Sequence, residues 1–310
     1  MNNKTAVLLM AFLLSGLLTG YGTCATDKPS ANKVPALVET GWLVKHLGDP
    51  EIKIVYVDDW PSRKAEYDSK HIPGSLYLGI GALLSSIGDG SFPPNKSVFE
   101  SAMSKLGISK NDHIVLYGFK AKNIFTFSTL WLLDYFGHEK FSYLNGGLEK
   151  WNRENRKTSG ESTKIKPTRY KTGSPDESIR ADAYYVLMRL KEPNVVIVDV
   201  RGTDEYTGEN NPETNRRVGH IPGALDMGYF TTNFNDNGTL KSVKDLKAIY
   251  TEKGVTKDKE IIVYCQGGLK TSNTYFVLKY ILNYPNVRNY VGSWGEWGNR
   301  VNFNWYPAEQ

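Results

Sequence analysis

Ile261-Ile262-Val263-Tyr264-Cys265-Gln266-Gly267-Gly268-Leu269-Lys270-Thr271-Ser272 divides into three pieces. The first four residues are an apolar run of β-type residues, which reads as a buried strand. Paired glycines follow, and they permit tight curvature and positive φ. From Thr271 to Leu282 the pattern reads as a helix. A strand that turns into a helix is the unit of a parallel sheet covered by helices. In such sheets ligands bind at the carboxyl ends of the strands, and Cys265 stands at that end.

Working outward, the same order of features occurs earlier in the chain. Val55-Tyr56-Val57-Asp58, His71-Ile72-Pro73-Gly74-Ser75, Ile114-Val115-Leu116-Tyr117-Gly118 and Tyr143-Leu144-Asn145-Gly146-Gly147 with Trp151 form the first series. Val196-Ile197-Val198-Asp199, His220-Ile221-Pro222-Gly223-Ala224, the Cys265 stretch and Tyr290-Val291-Gly292-Ser293-Trp294 with Trp297 form the second. His71 and His220 are 149 positions apart, and Gly118 and Cys265 are 147 apart. Ordered matches at a steady offset imply two copies of one α/β fold. Predicted strands are Ile54–Val57, Ile114–Tyr117 and Phe141–Leu144 in the first copy, and Val195–Val198, Ile261–Tyr264 and Asn289–Val291 in the second. Predicted helices include Ser97–Lys105, Phe127–Phe136, Ser242–Lys253 and Thr271–Leu282. The expected layout is a first domain over 36–156, a linker over 157–177 and a second domain over 178–305. Asp58 to His71 spans 13 residues and Asp199 to His220 spans 21. The excess is a polar loop inside Thr207–Val218, which either borders the second site or is an inert surface insertion.

A chain of 310 residues with 40% hydrophobic and 23% charged residues has room for two cores of ordinary size. The net charge of +5 is spread among acidic residues without a dense run. That pattern reads as a solvated surface and argues against a nucleic-acid partner.

The chemistry centres on Cys265. A curved loop turns several N–H groups inward, the following helix adds its positive end, and Lys270 adds a full charge. Such surroundings favour a thiolate and would equally hold a persulfide. A thiolate that attacks the outer sulfur of a donor and then yields it to a nucleophile is covalent catalysis by sulfur exchange. It requires no metal and no organic cofactor. Asp199 and Arg201 read either as a buried pair ordering the edge of the site or, for Arg201, as a substrate ligand. His71 and His220 occupy matching positions, one of them in the copy without a cysteine, and so read as structural. Trp294 and Trp297 read as core or domain-interface residues.

The six residues Cys265 to Lys270 resemble the active-site loop of rhodanese-type sulfurtransferases. Gly219-His220-Ile221-Pro222-Gly223-Ala224 and Gly292-Ser293-Trp294-Gly295-Glu296-Trp297 are similar to that family's two signatures. The resemblance covers nearly the whole chain after the leader, and it is closest to the two-domain thiosulfate and 3-mercaptopyruvate sulfurtransferases. It implies tandem rhodanese-like domains, with a catalytic Cys265 and a substrate cradle of Gln266, Gly267, Gly268, Leu269 and Lys270, to which Arg201 is added. It also implies a small-molecule sulfur donor and a thiol or cyanide acceptor. Gly118 stands where the second copy has Cys265, so the first domain is expected to be inactive and to cover one side of the site. Glu205 stands where two-domain members often place a substrate-binding arginine, a loss that Arg216 or Arg217 would compensate. A cysteine phosphatase would need a loop one residue longer ending in arginine, and here that place is Thr271. A sulfur carrier or an idle binding module on the same fold remains the alternative.

The first 25 residues read as an export signal: a short start with Lys4, an apolar run from Ala6 to Leu18, and small residues before a polar stretch. Cleavage after Ala25 would release a soluble, periplasmic protein with no transmembrane helix. Cys24 leaves a lipid anchor open, and an uncleaved anchor is the third option.

Overall fold

The computed structural model describes residues 34–58, 61–84, 92–213, 215–300, 302 and 305–310. The export leader and Cys24 lie outside the described residues. Residues Val34–Gln310 belong to one compact unit.

Two sheets with the same strand order account for the repeat. The first copy runs β1 (Leu37–Val38), α1 (Thr40–Lys45), β2 (Ile52–Asp58), α2 (Pro61–Ser69), β3 (Leu76–Gly79), α3 (Lys96–Lys105), β4 (His113–Tyr117), α4 (Ile124–Tyr135), β5 (Phe141–Leu144) and α5 (Gly147–Arg153). The second runs β6 (Arg180–Ala181), α6 (Ala183–Leu187), β7 (Val195–Asp199), α7 (Thr203–Thr207), β8 (Leu225–Asp226), α8 (Val243–Glu252), β9 (Glu260–Tyr264), α9 (Thr271–Phe276), β10 (Val287–Tyr290) and α10 (Ser293–Trp297). The strand orders are β1-β5-β4-β2-β3 and β6-β10-β9-β7-β8, and every pairing is parallel. Central strands β4 and β9 are buried along all but their first residue, because helices cover both faces. That is why they read as unbroken apolar runs rather than alternating ones.

The histidine signature has the same job twice. His71 stacks on Tyr67 at 4.2 Å and makes an antiparallel bridge to Ser159. His220 stacks on Tyr206 at 3.7 Å and bridges Glu309. Each copy thereby ties down the segment that follows its last helix. The indole N–H groups of Trp151 and Trp297 reinforce this, donating to the carbonyls of Lys157 at 2.9 Å and Pro307 at 2.7 Å. Trp294 and Trp297 are both buried in the core of the second copy.

The segment 157–177 is not a free tether. Thr163 Oγ1 donates to the Ser75 carbonyl at 2.8 Å, the Tyr170 hydroxyl meets His138 at 2.8 Å, and the Asp176 amide donates to the Tyr135 carbonyl at 2.8 Å. It is laid across the first copy.

The equivalent helices α4 and α9 pack against each other and join the copies. Phe127 and Phe276 lie 5.7 Å apart, and Asp134 accepts from the Tyr275 hydroxyl at 2.6 Å and from Lys279 at 3.0 Å. Buried residues therefore surround α4 and α9 almost completely, as expected for helices sandwiched between two sheets. The predicted helix Thr271–Leu282 is α-helical only to Phe276, and Val277–Ile281 continues as a π-turn. Among the described residues no helix is long and apolar enough to cross a membrane.

Candidate active site around Cys265

Cys265 follows β9 directly and is 1% exposed. The Gly268 N–H donates to its Sγ at 3.2 Å. Gly268 has φ +81°, and a Cβ there would lie 2.3 Å from the Val291 carbonyl oxygen. Only glycine lets the backbone turn this amide onto the sulfur. The amides of Gly267, Leu269 and Lys270 find no acceptor among the described residues. A buried loop with open N–H groups is a ready seat for an anion.

The start of α10 holds this loop from the other side. The Trp294 and Gly295 amides donate to the carbonyls of Cys265 at 2.9 Å and Gln266 at 2.7 Å. Ser293 accepts the Cys265 N–H at 3.0 Å, donates to the Tyr290 carbonyl at 2.8 Å, and places its Oγ 4.0 Å from Sγ. Its φ is +53°, a left-handed conformation that costs a non-glycine residue roughly 1 kcal/mol or more. Asn289 and Thr271 both donate side-chain hydrogen bonds to the Gly268 carbonyl.

A cavity of about 320 Å³ opens above the sulfur. Gln266, Gly267, Leu269 and Lys270 line it together with Cys265, Ile124 from the first copy and Glu213 from the inserted loop. Ser128 of α4 also donates to the Leu269 carbonyl at 3.4 Å. The first copy thus forms one wall of the site. Lys270 is the cation of the lining, and its ammonium lies 4.7 Å from the centre of the Tyr229 ring.

The structure decides the role of the inserted loop. Asn215 and Gln266 exchange amide hydrogen bonds at 2.9 and 3.3 Å, and Asn299 donates to Asn215 at 2.9 Å. Asn211 accepts from both the backbone and side-chain nitrogens of Asn215. The loop is pinned to the Cys265 loop, and this brings Glu213 to the cavity.

Three expectations need correction. Arg201 does not line the cavity. It is 2% exposed, its guanidinium grips Asp199 with a shortest contact of 2.6 Å, and it donates to the Gly219 carbonyl at 2.7 Å. Burial works against its charge, yet the neighbouring Asp199 outweighs that and raises its pKa. With these partners and the Trp294 ring at 4.7 Å, it orders the edge of the site and is not placed to bind substrate. Glu205 is not in the cavity either. It sits in the first turn of α7 and accepts the Gly202 N–H at 3.4 Å. Arg217 reaches the carbonyls of Trp297 and Tyr306 and so anchors the C-terminal segment, while Arg216 is exposed and uses its amide on Asn299.

Ser293, Asn215 and Glu213 were missed from sequence. The signal available for Ser293 was its alignment with Gly147 in the first copy. For Asn215 and Glu213 the signal was the insertion inside Thr207–Val218, read as either bordering the second site or inert, but a polar loop does not reveal which of its residues lean on the site.

Comparison with known proteins agrees with this architecture. The rhodanese-like domain family matches residues 39–154 and 182–300. The chain is 39% identical over 274 residues to the sulfur carrier protein TtuD of Thermus thermophilus, covering 86% of this chain and 94% of the relative. It is 35% identical over 271 residues to a protein of Saccharopolyspora erythraea provisionally named thiosulfate sulfurtransferase, covering 86% and 94%. Among solved structures, the 3-mercaptopyruvate sulfurtransferase SseA of Escherichia coli is 30% identical with a TM-score of 0.71, covering 84% of this chain and 99% of that one. The EanB–ergothioneine complex has a TM-score of 0.77 at 24% identity, covering 89% and 70%, and shows the fold alone. With both copies matched by the family and relatives aligned over 94% of their own length, the chain belongs to the rhodanese family.

Proposed function

We propose that this protein is a sulfurtransferase in which Cys265 carries sulfane sulfur as a persulfide. The observation that carries this reading is the loop itself. It holds a single buried sulfur with the Gly268 amide 3.2 Å away and neighbouring amides left open. The thiolate attacks the outer sulfur of a donor such as thiosulfate, the S–S bond of the donor breaks, and sulfite leaves with the electron pair. From 3-mercaptopyruvate the sulfur transfers with pyruvate as the product, the thiol proton ending on its methyl group. The resulting Cys265–S–S⁻ puts its charge on the outer sulfur, where backbone N–H groups stabilise it. Cyanide or a thiolate then attacks that sulfur and returns Cys265 to the thiolate. Gln266, Gly267, Gly268, Leu269 and Lys270 form the substrate cradle. Delivery to a protein acceptor would use the same persulfide, and the likeness to a protein named a sulfur carrier favours that second reading.

The leader supports export to the periplasm. Cleavage after Ala25 leaves Cys265 as the one thiol, and a lipid anchor at Cys24 is the alternative processing. Intact mass of the purified mature protein tests both points. Incubation with thiosulfate, or separately with 3-mercaptopyruvate, is expected to add one sulfur atom that cyanide or a thiol removes. No mass gain with either donor would overturn the persulfide reading, and the starting mass reports the processing site.

A further inference from the structure

The loop of the first copy, Gly118-Phe119-Lys120-Ala121-Lys122-Asn123, has no thiol, yet it opens onto a larger cavity than the Cys265 loop does. This cavity of about 490 Å³ is walled by Arg63, Phe119, Lys120 and Lys122 from the first copy and by Tyr229 and Phe230 from the second. It adjoins the Cys265 cavity. Ile124 lines both, and Tyr229 of the larger one is the ring beneath the Lys270 ammonium of the smaller.

The charges in it are not equivalent. Arg63 is neutralised by Glu66 at 2.5 Å and lies over the Phe119 ring. Lys120 is exposed and has no hydrogen-bond or ion-pair partner among the described residues. Lys122 is half-buried, and among the described residues its ammonium has only the Phe234 ring, 6.0 Å away. Two ammonium groups with no carboxylate partner among the described residues, set beside aromatic walls, call for an anionic end on a partly apolar body. The donors at the start of α4 are already used, since Asn123 Oδ1 accepts from the amides of Phe125 at 2.8 Å and Thr126 at 3.3 Å. A phosphate would want those amides, and Asp58, which also lines the cavity, would repel its second charge. A carboxylate needs only the lysines.

We infer that this cavity is an anchoring subsite for the carboxylate-bearing end of an acceptor thiol whose sulfur reaches Cys265. The inference rests on the persulfide reading above. In the step it serves, the acceptor thiolate bonds to the outer sulfur, the Cys265–S bond breaks, and the electron pair returns to Cys265 Sγ. The subsite takes no part in that chemistry. It lowers the concentration of acceptor needed.

The test uses the full chain with Lys120→Glu and Lys122→Glu combined, and glutathione as the probe thiol. Binding of S-methylglutathione, which cannot react, is measured by calorimetry on Cys265→Ser with and without the two charge reversals. It is expected to bind, and the reversals to weaken it by about tenfold or more, with a further loss at high salt in the unreversed protein. In turnover the KM for glutathione should rise by a similar factor while kcat, and the reaction with uncharged 2-mercaptoethanol, stay the same. Absence of binding, equal binding by the charge-reversed protein, or an equal rise in KM for 2-mercaptoethanol would each overturn the subsite. Displacement of S-methylglutathione by equimolar inorganic phosphate would overturn the carboxylate assignment. Failure of the persulfide shows separately, as missing mass, and leaves the binding arm still decisive for the subsite.

Discussion

Gly147 and Ser293 occupy one place in the two copies, the first residue of the helix that closes each domain, and their φ angles are +57° and +53°. In the first copy glycine adopts this conformation freely. In the second a serine tolerates it, and the hydroxyl thereby supports the Cys265 N–H and stands near the sulfur. The strained residue occurs where there is a thiol to hold. Gly118 and Cys265 show the same division. A Cβ at Gly118 would lie 2.7 Å and 2.9 Å from atoms of Asn123 and 2.9 Å from Thr126. Asn123 has filled the space that a sulfur would need, and it also donates to Asp58 at 3.0 Å. In the copy without a thiol the loop collapses onto itself, and in the copy with one it is held open from outside.

The largest effect should come from trying to exchange the copies. Cys265→Ser is expected to lower sulfur transfer by roughly four orders of magnitude or more, with the fold unchanged by circular dichroism. Adding Gly118→Cys should restore nothing and destabilise by about 1–3 kcal/mol in urea unfolding, because the first loop has no room for the side chain. Sulfur uptake by that double variant would break the comparison.

Next in size is the buried Asp199–Arg201 pair of the second copy. Asp199→Ala strands the Arg201 guanidinium and should cost about 3–5 kcal/mol. A change below about 1 kcal/mol would mean that solvent reaches Arg201 and would reopen it as a substrate ligand.

Smaller effects are expected at the closing helix. Ser293→Gly should change stability by no more than about 1–2 kcal/mol, since relief of the left-handed strain offsets the cost of leaving the buried Cys265 N–H without its acceptor. It should slow persulfide formation by about tenfold, the equivalent of one lost hydrogen bond. Gly147→Ser should destabilise by about 1–3 kcal/mol, because its Cβ would lie 2.8 Å from the Gly118 carbonyl oxygen. Stopped-flow uptake of donor sulfur, paired with thermal melts, checks both.

The mildest contrast is pH. His113 and His138 belong to the first copy, and burial pushes each pKa down to about 4, with His138 adding to the shift at His113 and Lys110 adding to that at His138. Unfolded, each titrates near about 6.5, so between these values the folded chain holds fewer protons than the unfolded one. Their contribution to stability is present above about pH 6.5 and lost as pH falls toward 4. His138 accepts from the Tyr170 hydroxyl and bonds the Asp112 carbonyl, contacts an amide side chain would reproduce. Melting temperature followed from pH 7 to 4 should therefore fall less steeply in His138→Gln. An identical slope would remove His138 from the explanation.

The repeat, the alternation of strand and helix, and the place of Cys265 were all legible in the sequence. Each depends on local pattern: apolar runs for buried strands, glycines for a turn, and spacing for duplication. Short pieces escaped. β1, β3, β6 and β8 contain two to four residues and exist because neighbouring strands offer them partners. For Arg201 the sequence offered the buried pair with Asp199 beside the substrate ligand without deciding between them, and it misplaced Glu205, since nothing in a residue's type says whether its charge faces a cavity or a carboxylate two residues away.

By itself, then, the sequence determined that there are two copies of one α/β unit and that one of them ends its central strand in a cysteine. Local backbone preference and periodic burial carry that information along the chain. The tertiary structure alone decided that α4 packs on α9, that Asn215 pins the inserted loop to Gln266, that Ser293 stands behind Cys265, and that two lysines of the thiol-less loop face the adjoining cavity. These contacts join residues 28 to about 145 positions apart. Their energy comes from packing and hydrogen bonds between elements, which no stretch of sequence contains on its own.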